Sequence, residues 1–197
     1  MRLSILIPSI PSRFERAVKL YNKFLAMVGE KDIEVLMLTD NKKRTIGEKR
    51  EALKNISKGK YFMFVDDDDD IISLDEIYEA SEQDVDVITF KQLCFNQDGS
   101  EYFVTFGLNN EIEHNTQDGK YLDCKRPPFP CCAWSQWYKK IKFPDINYGE
   151  DGVWIWEALP NAISEHFIDK VLHLYQFNSA VTEASTESNE HWQNPNP

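Results

Sequence analysis

The stretch Tyr61-Phe62-Met63-Phe64-Val65-Asp66-Asp67-Asp68-Asp69-Asp70 decides how this chain is read. Its first half is apolar, aromatic and β-branched, the pattern of a buried strand, so the carboxylates emerge at that strand's C-terminal end. In an open α/β sheet, ligands sit at that end. Five consecutive aspartates with no basic residue among them repel one another, which suggests a counter-ion. Carboxylate oxygens suit a hard cation, and Mg²⁺ and Mn²⁺ fit equally well. The competing reading is a solvated acidic turn. The run starts directly on a strand rather than in a polar linker, which favours a site.

Working outward, strands and helices alternate. Leu3 to Ile7 reads as a central strand stopped by Pro8-Ser9-Ile10-Pro11. Ser12 and Glu15 then form a capping-box pattern, and Phe14, Ala17, Val18, Tyr21, Phe24, Leu25 and Val28 line one face of a helix ending at Gly29. Ile33 to Leu38 is a second strand that delivers Asp40 to the same sheet edge as the aspartates, where an acid can bond a base or a ribose. Asp40-Asn41 is also ordinary turn chemistry. Ile46 to Ile56 reads as a helix closed by Gly59, with Lys49 and Arg50 in its first turns. Cations there oppose the helix dipole and make sense beside a shared diphosphate; the alternative is an exposed charged face. Ser73 and Glu76 cap a helix through Gln83, and Val85 to Phe90 is a further strand. This rhythm predicts an α/β fold with a mostly parallel sheet.

Lys91 to Phe95 and Glu101 to Phe106 then form a hairpin, and a soft boundary near Leu108 separates residues 1–108 from 109–181. Asn109 to Lys120 is polar and reads as a loop. Phe129, Trp134, Trp137 and Tyr138 either stack on a ligand ring or fill the core. Glu150 and Asp151 open a short helix after Tyr148-Gly149. Lys170 to Phe177 is a last strand, whose lone His173 reads as a core residue, and residues 182–197 read as a disordered tail.

A chain of 197 residues with 42% hydrophobic content supports one core with a small annex. Its 33 acids against 22 bases give a net charge of -11, which disfavours non-specific adhesion to nucleic acid or anionic membrane. The apolar run after Met1-Arg2 is too short for a signal peptide and no later stretch spans a membrane, so a cytoplasmic location is expected. Cys94, Cys124, Cys131 and Cys132 lack zinc-finger spacing and read as reduced thiols.

The segments "SILIPSIPSR", "LMLTDN", "IGEKREAL", "GKYFMFVDDDDD" and "YGEDGVW" follow the order seen in family 2 glycosyltransferases of the GT-A fold. The chain resembles these enzymes, in particular the short ones encoded by tailed phages, which would place it in the host cytoplasm. The resemblance implies a Rossmann-like part, residues 1–108, that binds a nucleoside-diphosphate sugar, most naturally a UDP-sugar, and an acceptor-side part in residues 109–181. By resemblance, Asp40 contacts the base or ribose and Arg50 faces the diphosphate. Asp66 and Asp68 are the Asp-x-Asp acids, with Asp68 on the Mn²⁺ or Mg²⁺ ion and Asp69 following. Asp151 of the Glu150-Asp151 pair is the catalytic base of an inverting transfer. Lys49 and Trp134 are second candidates for donor and acceptor contacts. Two departures stand out: Glu51 replaces a usual asparagine, and Gln176 stands where many members carry arginine.

A nucleotidyltransferase, an aspartate-based phosphatase and a catalytically inactive sugar-nucleotide binder share parts of this pattern. An EF-hand does not fit, because Ile71 and Ile77 stand where its loop needs Gly and Glu. A saccharide acceptor is favoured. A hydroxymethylated DNA base is the alternative, with Lys139, Lys140 and Lys142 as a basic patch in its favour and the net charge against it.

Overall fold

The computed structural model describes residues 1–176; the expected tail and the end of the last strand, from Phe177 on, lie outside them. Ten strands are joined through one sheet: β1 (Leu3–Ser9), β2 (Ile33–Thr39), β3 (Tyr61–Phe64), β4 (Asp70–Ile71), β5 (Val87–Phe95), β6 (Glu101–Phe106), β7 (Glu113–Gln117), β8 (Lys120–Arg126), β9 (Ala133–Ser135) and β10 (Glu165–Gln176). The order is β2-β1-β3-β9-β5-β6-β8-β7, with β10 beside β5 and β4. β2, β1 and β3 are mutually parallel, and β10 runs parallel to β5. β9 enters antiparallel between β3 and β5, so the C-terminal ends of β1, β2, β3, β5 and β10 share one rim.

The strand pleat sorts the core. Leu3, Ile5 and Ile7 of β1 with Tyr61 and Met63 of β3 pack against Leu20 and Phe24 of α1 (Phe14–Val28) and Ile77 of α3 (Asp75–Ala80). Leu6, Phe62 and Phe64 point the other way, onto Leu53 of α2 (Ile46–Ile56) and Trp154 and Ile155 of α4 (Glu150–Ala158). These strands are therefore apolar on both faces, as a sheet covered by helices on each side requires. None of the described helices is long and apolar enough to cross a membrane.

Several local expectations are corrected. Ser12 does not cap α1: a short 3-10 turn over Pro11–Arg13 precedes it, and its N-cap Arg13 makes no side-chain cap bond. Phe14 and Leu25 stay half exposed, and the inward face of α1 is Ala17, Leu20 and Phe24. The capping box that does form is Thr45 with Glu48, at the start of α2. The helix at Ser73 stops at Ala80, short of Gln83. Val85–Phe90 and Lys91–Phe95 merge into the single strand β5. Residues 109–120 are not one loop, since Glu113–Gln117 pairs with β8; the polar, fully exposed edge strand lacks the apolar alternation that would reveal it. All four cysteines are free thiols.

Candidate active site

The aspartates form a tight turn pinned at both ends. The Asp69 N–H donates to the Asp66 carbonyl at 2.9 Å, and β4 then pairs with His173 and Leu174 of β10. This anchoring gives identical residues different surroundings. Asp67 is buried against Arg13 Nε at 2.9 Å, and burial pushes its carboxyl up to about 6. Asp68 meets Arg13 Nη1 at 2.8 Å; burial, then the charge of Asp66, raises its titration. Asp69 turns inward to His173 Nε2 at 3.2 Å, and His173 Nδ1 lies 2.8 Å from Gln92 Oε1. Burial opposes the imidazolium, but the Asp69 carboxylate outweighs it and lifts His173 to about 9.

The other half of the site comes from α2 and α4. Gly47 of α2 lies against the loop before α4; a Cβ there would fall 1.8 Å from the Pro144 carbonyl oxygen. The Gly47 N–H donates to the Ile146 carbonyl and Thr45 Oγ1 to Asp145, so the helix starts are stitched together. Across that seam Arg50 Nε donates to Glu150 Oε1 at 3.0 Å, and Nη2 donates to Asp66 at 3.0 and 3.1 Å. One guanidinium thus joins the strand-end acid to the Glu-Asp pair. Asp151, next in line, makes no ion pair among the described residues and accepts the Gly152 N–H at 2.8 Å. Burial raises the titration of both acids, Glu150 to about 7 and Asp151 above its ordinary range.

Asp40 lies at the end of β2, 3.0 Å from Lys49 Nζ. Burial alone would push it up, but Lys49 and the N–H groups of Arg44 and Lys42 hold it below the usual carboxylate range. Lys49 also donates to the Ser9 carbonyl, so it braces Asp40 rather than standing free for a phosphate.

The structure therefore brings Asp40, Lys49, Arg50, Asp66, Asp68, Glu150 and Asp151 to one rim, and folds Asp69 away from it onto His173. It removes Trp134, which is fully buried, donates Nε1–H to the Phe129 carbonyl and packs edge-on against Trp154. Phe129 and Tyr138 are core too, and only Trp137 of that cluster is half exposed. Sequence reasoning missed Arg13, whose place just after β1 was the available signal, and the Asp69 partnership of His173, which no local pattern reveals. Glu51 explains itself as a brace, accepting the Phe143 N–H and pairing with Lys54. Gln176 accepts a bond from Arg16, so a guanidinium from α1 reaches that corner. Beneath the turn, a cavity of about 410 Å³ opens between Arg16, Lys23, Asp68, Asp70 and Gln176.

No three His, Cys, Asp or Glu side chains converge as a closed metal cage among the described residues. A diphosphate-bridging Mg²⁺ or Mn²⁺ needs only one or two carboxylates, its remaining positions being water and phosphate, so this donor set of carboxylate oxygens fits such an ion.

No protein-family model matches the sequence, and no curated protein matches it. Solved structures do. S. aureus TarS superposes with a TM-score of 0.59 at 17% identity, over 90% of this chain and 37% of TarS. TarS 1–349 in complex with UDP gives 0.59 at 17% identity, over 90% of this chain and 61% of that one. The UDP-GlcNAc complex gives 0.60 at 18%, over 90% and 59%. The fold is that of GT-A-type glycosyltransferases, and the chain spans less than two thirds of each neighbour's length.

Proposed function

We propose that this chain is a metal-dependent inverting glycosyltransferase of family 2 type, moving a sugar from a UDP-sugar to an acceptor hydroxyl. The observation that carries the reading is the Arg50 bridge, which sets Asp151 in the same cluster as the strand-end acids yet leaves it without a cation of its own. Glu150 is committed to Arg50. Asp151, half-buried and with no ion pair among the described residues, is the acid left free to accept a proton. It takes the proton of the acceptor hydroxyl as that oxygen attacks the anomeric carbon. Asp40 holds the nucleoside, and Arg50 offsets charge on the departing diphosphate. Asp68, with Asp66 alongside, would hold Mg²⁺ or Mn²⁺, which would supply electrostatic stabilisation of the leaving group. A single displacement inverts the sugar carbon.

TarS 1–349 has been solved with UDP and with UDP-GlcNAc, which supports the donor class. A saccharide or surface glycan is the better acceptor than DNA. Of the basic patch, Lys139 is turned away from the rim: it reaches the Ser57 carbonyl at the C-terminal end of α2, whereas Arg50 lies nearer that helix's start. The test is calorimetric titration of UDP and a panel of nucleotide sugars with and without Mn²⁺. Affinity should depend on metal, and Asp68→Asn should abolish that dependence without lowering the melting temperature. Metal-independent binding, or an unchanged variant, would overturn the metal assignment. Absence of turnover with every donor and acceptor would leave a nucleotide-sugar binder instead.

A further inference from the structure

Two guanidiniums already sit on the two acids proposed for the metal. Asp66 is held by Arg50, which also keeps the buried Glu150, and Asp68 is held by Arg13, whose Nη1 donates to Oδ2 at 2.8 Å. Arg13 comes from the 3-10 turn just after β1 and touches the aspartate run twice, because its Nε lies 2.9 Å from Asp67 Oδ1. The two contacts differ in kind. The Asp68 contact is an aligned hydrogen bond to a side chain that is 14% exposed. Asp67 is closed off from solvent and meets Nε as a charge pair without an aligned hydrogen bond. A ligand can therefore reach Asp68 but not Asp67, and Asp67 tethers the guanidinium beside it.

Neighbouring cations from α1 do a different job. Arg16 donates to the Asp68 carbonyl, and Lys23 pairs with Asp70 and donates to the Ile71 carbonyl, so both brace the course of the turn. Of the three, Arg13 sits on the Asp68 carboxylate itself. A divalent ion and a guanidinium that share one partly desolvated carboxylate repel each other strongly.

We infer that Arg13 is the resident counter-ion of Asp68, displaced when a divalent ion binds there, and that its guanidinium, still tethered by Asp67, passes to the diphosphate arriving with that ion. Arg13 thus opposes the metal alone and favours metal and donor together. The inference rests on the metal and donor assignments proposed above. A purely structural clamp predicts the opposite sign, since a loosened turn would hold the ion less well.

The experiment is calorimetric titration of Mn²⁺ into the full chain, without UDP and with UDP, each protein being checked for a cooperative thermal transition. Arg13→Gln should bind Mn²⁺ alone about tenfold tighter or more, and the factor by which UDP tightens Mn²⁺ should shrink at least as much. Arg13→Gln strands the buried Asp67, so the double variant Arg13→Gln with Asp67→Asn, which leaves no interior charge unpaired, is titrated as well and should show the same gain. Arg13→Lys keeps the charge and should bind Mn²⁺ alone much as wild type does. Arg16→Gln removes a brace without touching the carboxylate and should give no gain. Weaker or unchanged Mn²⁺ binding when Arg13 is replaced by Gln, in the single and double variants alike, overturns the inference and leaves a clamp, while the metal assignment stands. An equal gain from Arg16→Gln overturns it as a general effect of removing positive charge. A gain that leaves the UDP effect at its wild-type size overturns the transfer to the diphosphate. Absence of Mn²⁺ binding by every protein, with or without UDP, refutes the metal assignment and the inference with it.

Discussion

Asp66 and Asp69 belong to the same run of aspartates, yet they do opposite things. The Asp66 side chain is 38% exposed and shares Arg50 with Glu150, whereas the Asp69 side chain is 6% exposed and is held by His173. The turn places one acid on the rim and folds the other back under β10. Chemistry available to a ligand is therefore set by which way the turn points each carboxylate, not by residue type.

The largest effect that would sharpen this contrast is on stability. Removing one partner of a buried pair strands the other, so Asp69→Ala should cost about 3 to 5 kcal/mol in urea unfolding. Asp66→Ala, at a partly exposed bridge whose arginine keeps Glu150, should cost less than about 1 kcal/mol. Similar losses would erase the distinction between rim and interior.

On the proposed function, a smaller effect would separate a nucleoside end of the rim from a phosphate end. Asp40→Ala should weaken UDP by about 1.5 to 3 kcal/mol, the worth of one charge-assisted hydrogen bond, and leave pyrophosphate nearly unchanged. Equal losses for both ligands would place Asp40 elsewhere.

The interior pair also carries a pH signature. His173 titrates near 9 when folded against an ordinary 6.5, so the stability it contributes is complete below about pH 6.5 and is lost as pH rises through about 9. The metal-free melting temperature should fall between pH 7 and 9.5, and His173→Gln should flatten that fall. A wild-type profile flat over this range would show that the pair is not ionised.

Much of the layout was legible in the sequence because it rests on periodic signals. The apolar runs of β1, β2 and β3 and their turn residues placed Asp40, Asp66 and Asp68 on one rim. What failed was information that only packing supplies. Trp134 reads equally well as a stacking platform or as core, and its burial between β3 and β5 depends on β9 returning across the sheet. The run of identical aspartates offers no local cue to which member is buried. β7 is polar along its whole length, so no alternation announced it.

The most direct test of the account compares Asp151→Asn with Glu150→Gln, measuring UDP-sugar dissociation constants alongside the rate of transfer, or of donor hydrolysis until the acceptor is found. A base role predicts near wild-type donor affinity for Asp151→Asn with a rate lowered on the order of 10²-fold or more, and a milder loss for Glu150→Gln, since an amide cannot take the acceptor's proton. Wild-type turnover by Asp151→Asn would contradict the account, because a purely helix-capping acid is replaced by asparagine at little cost.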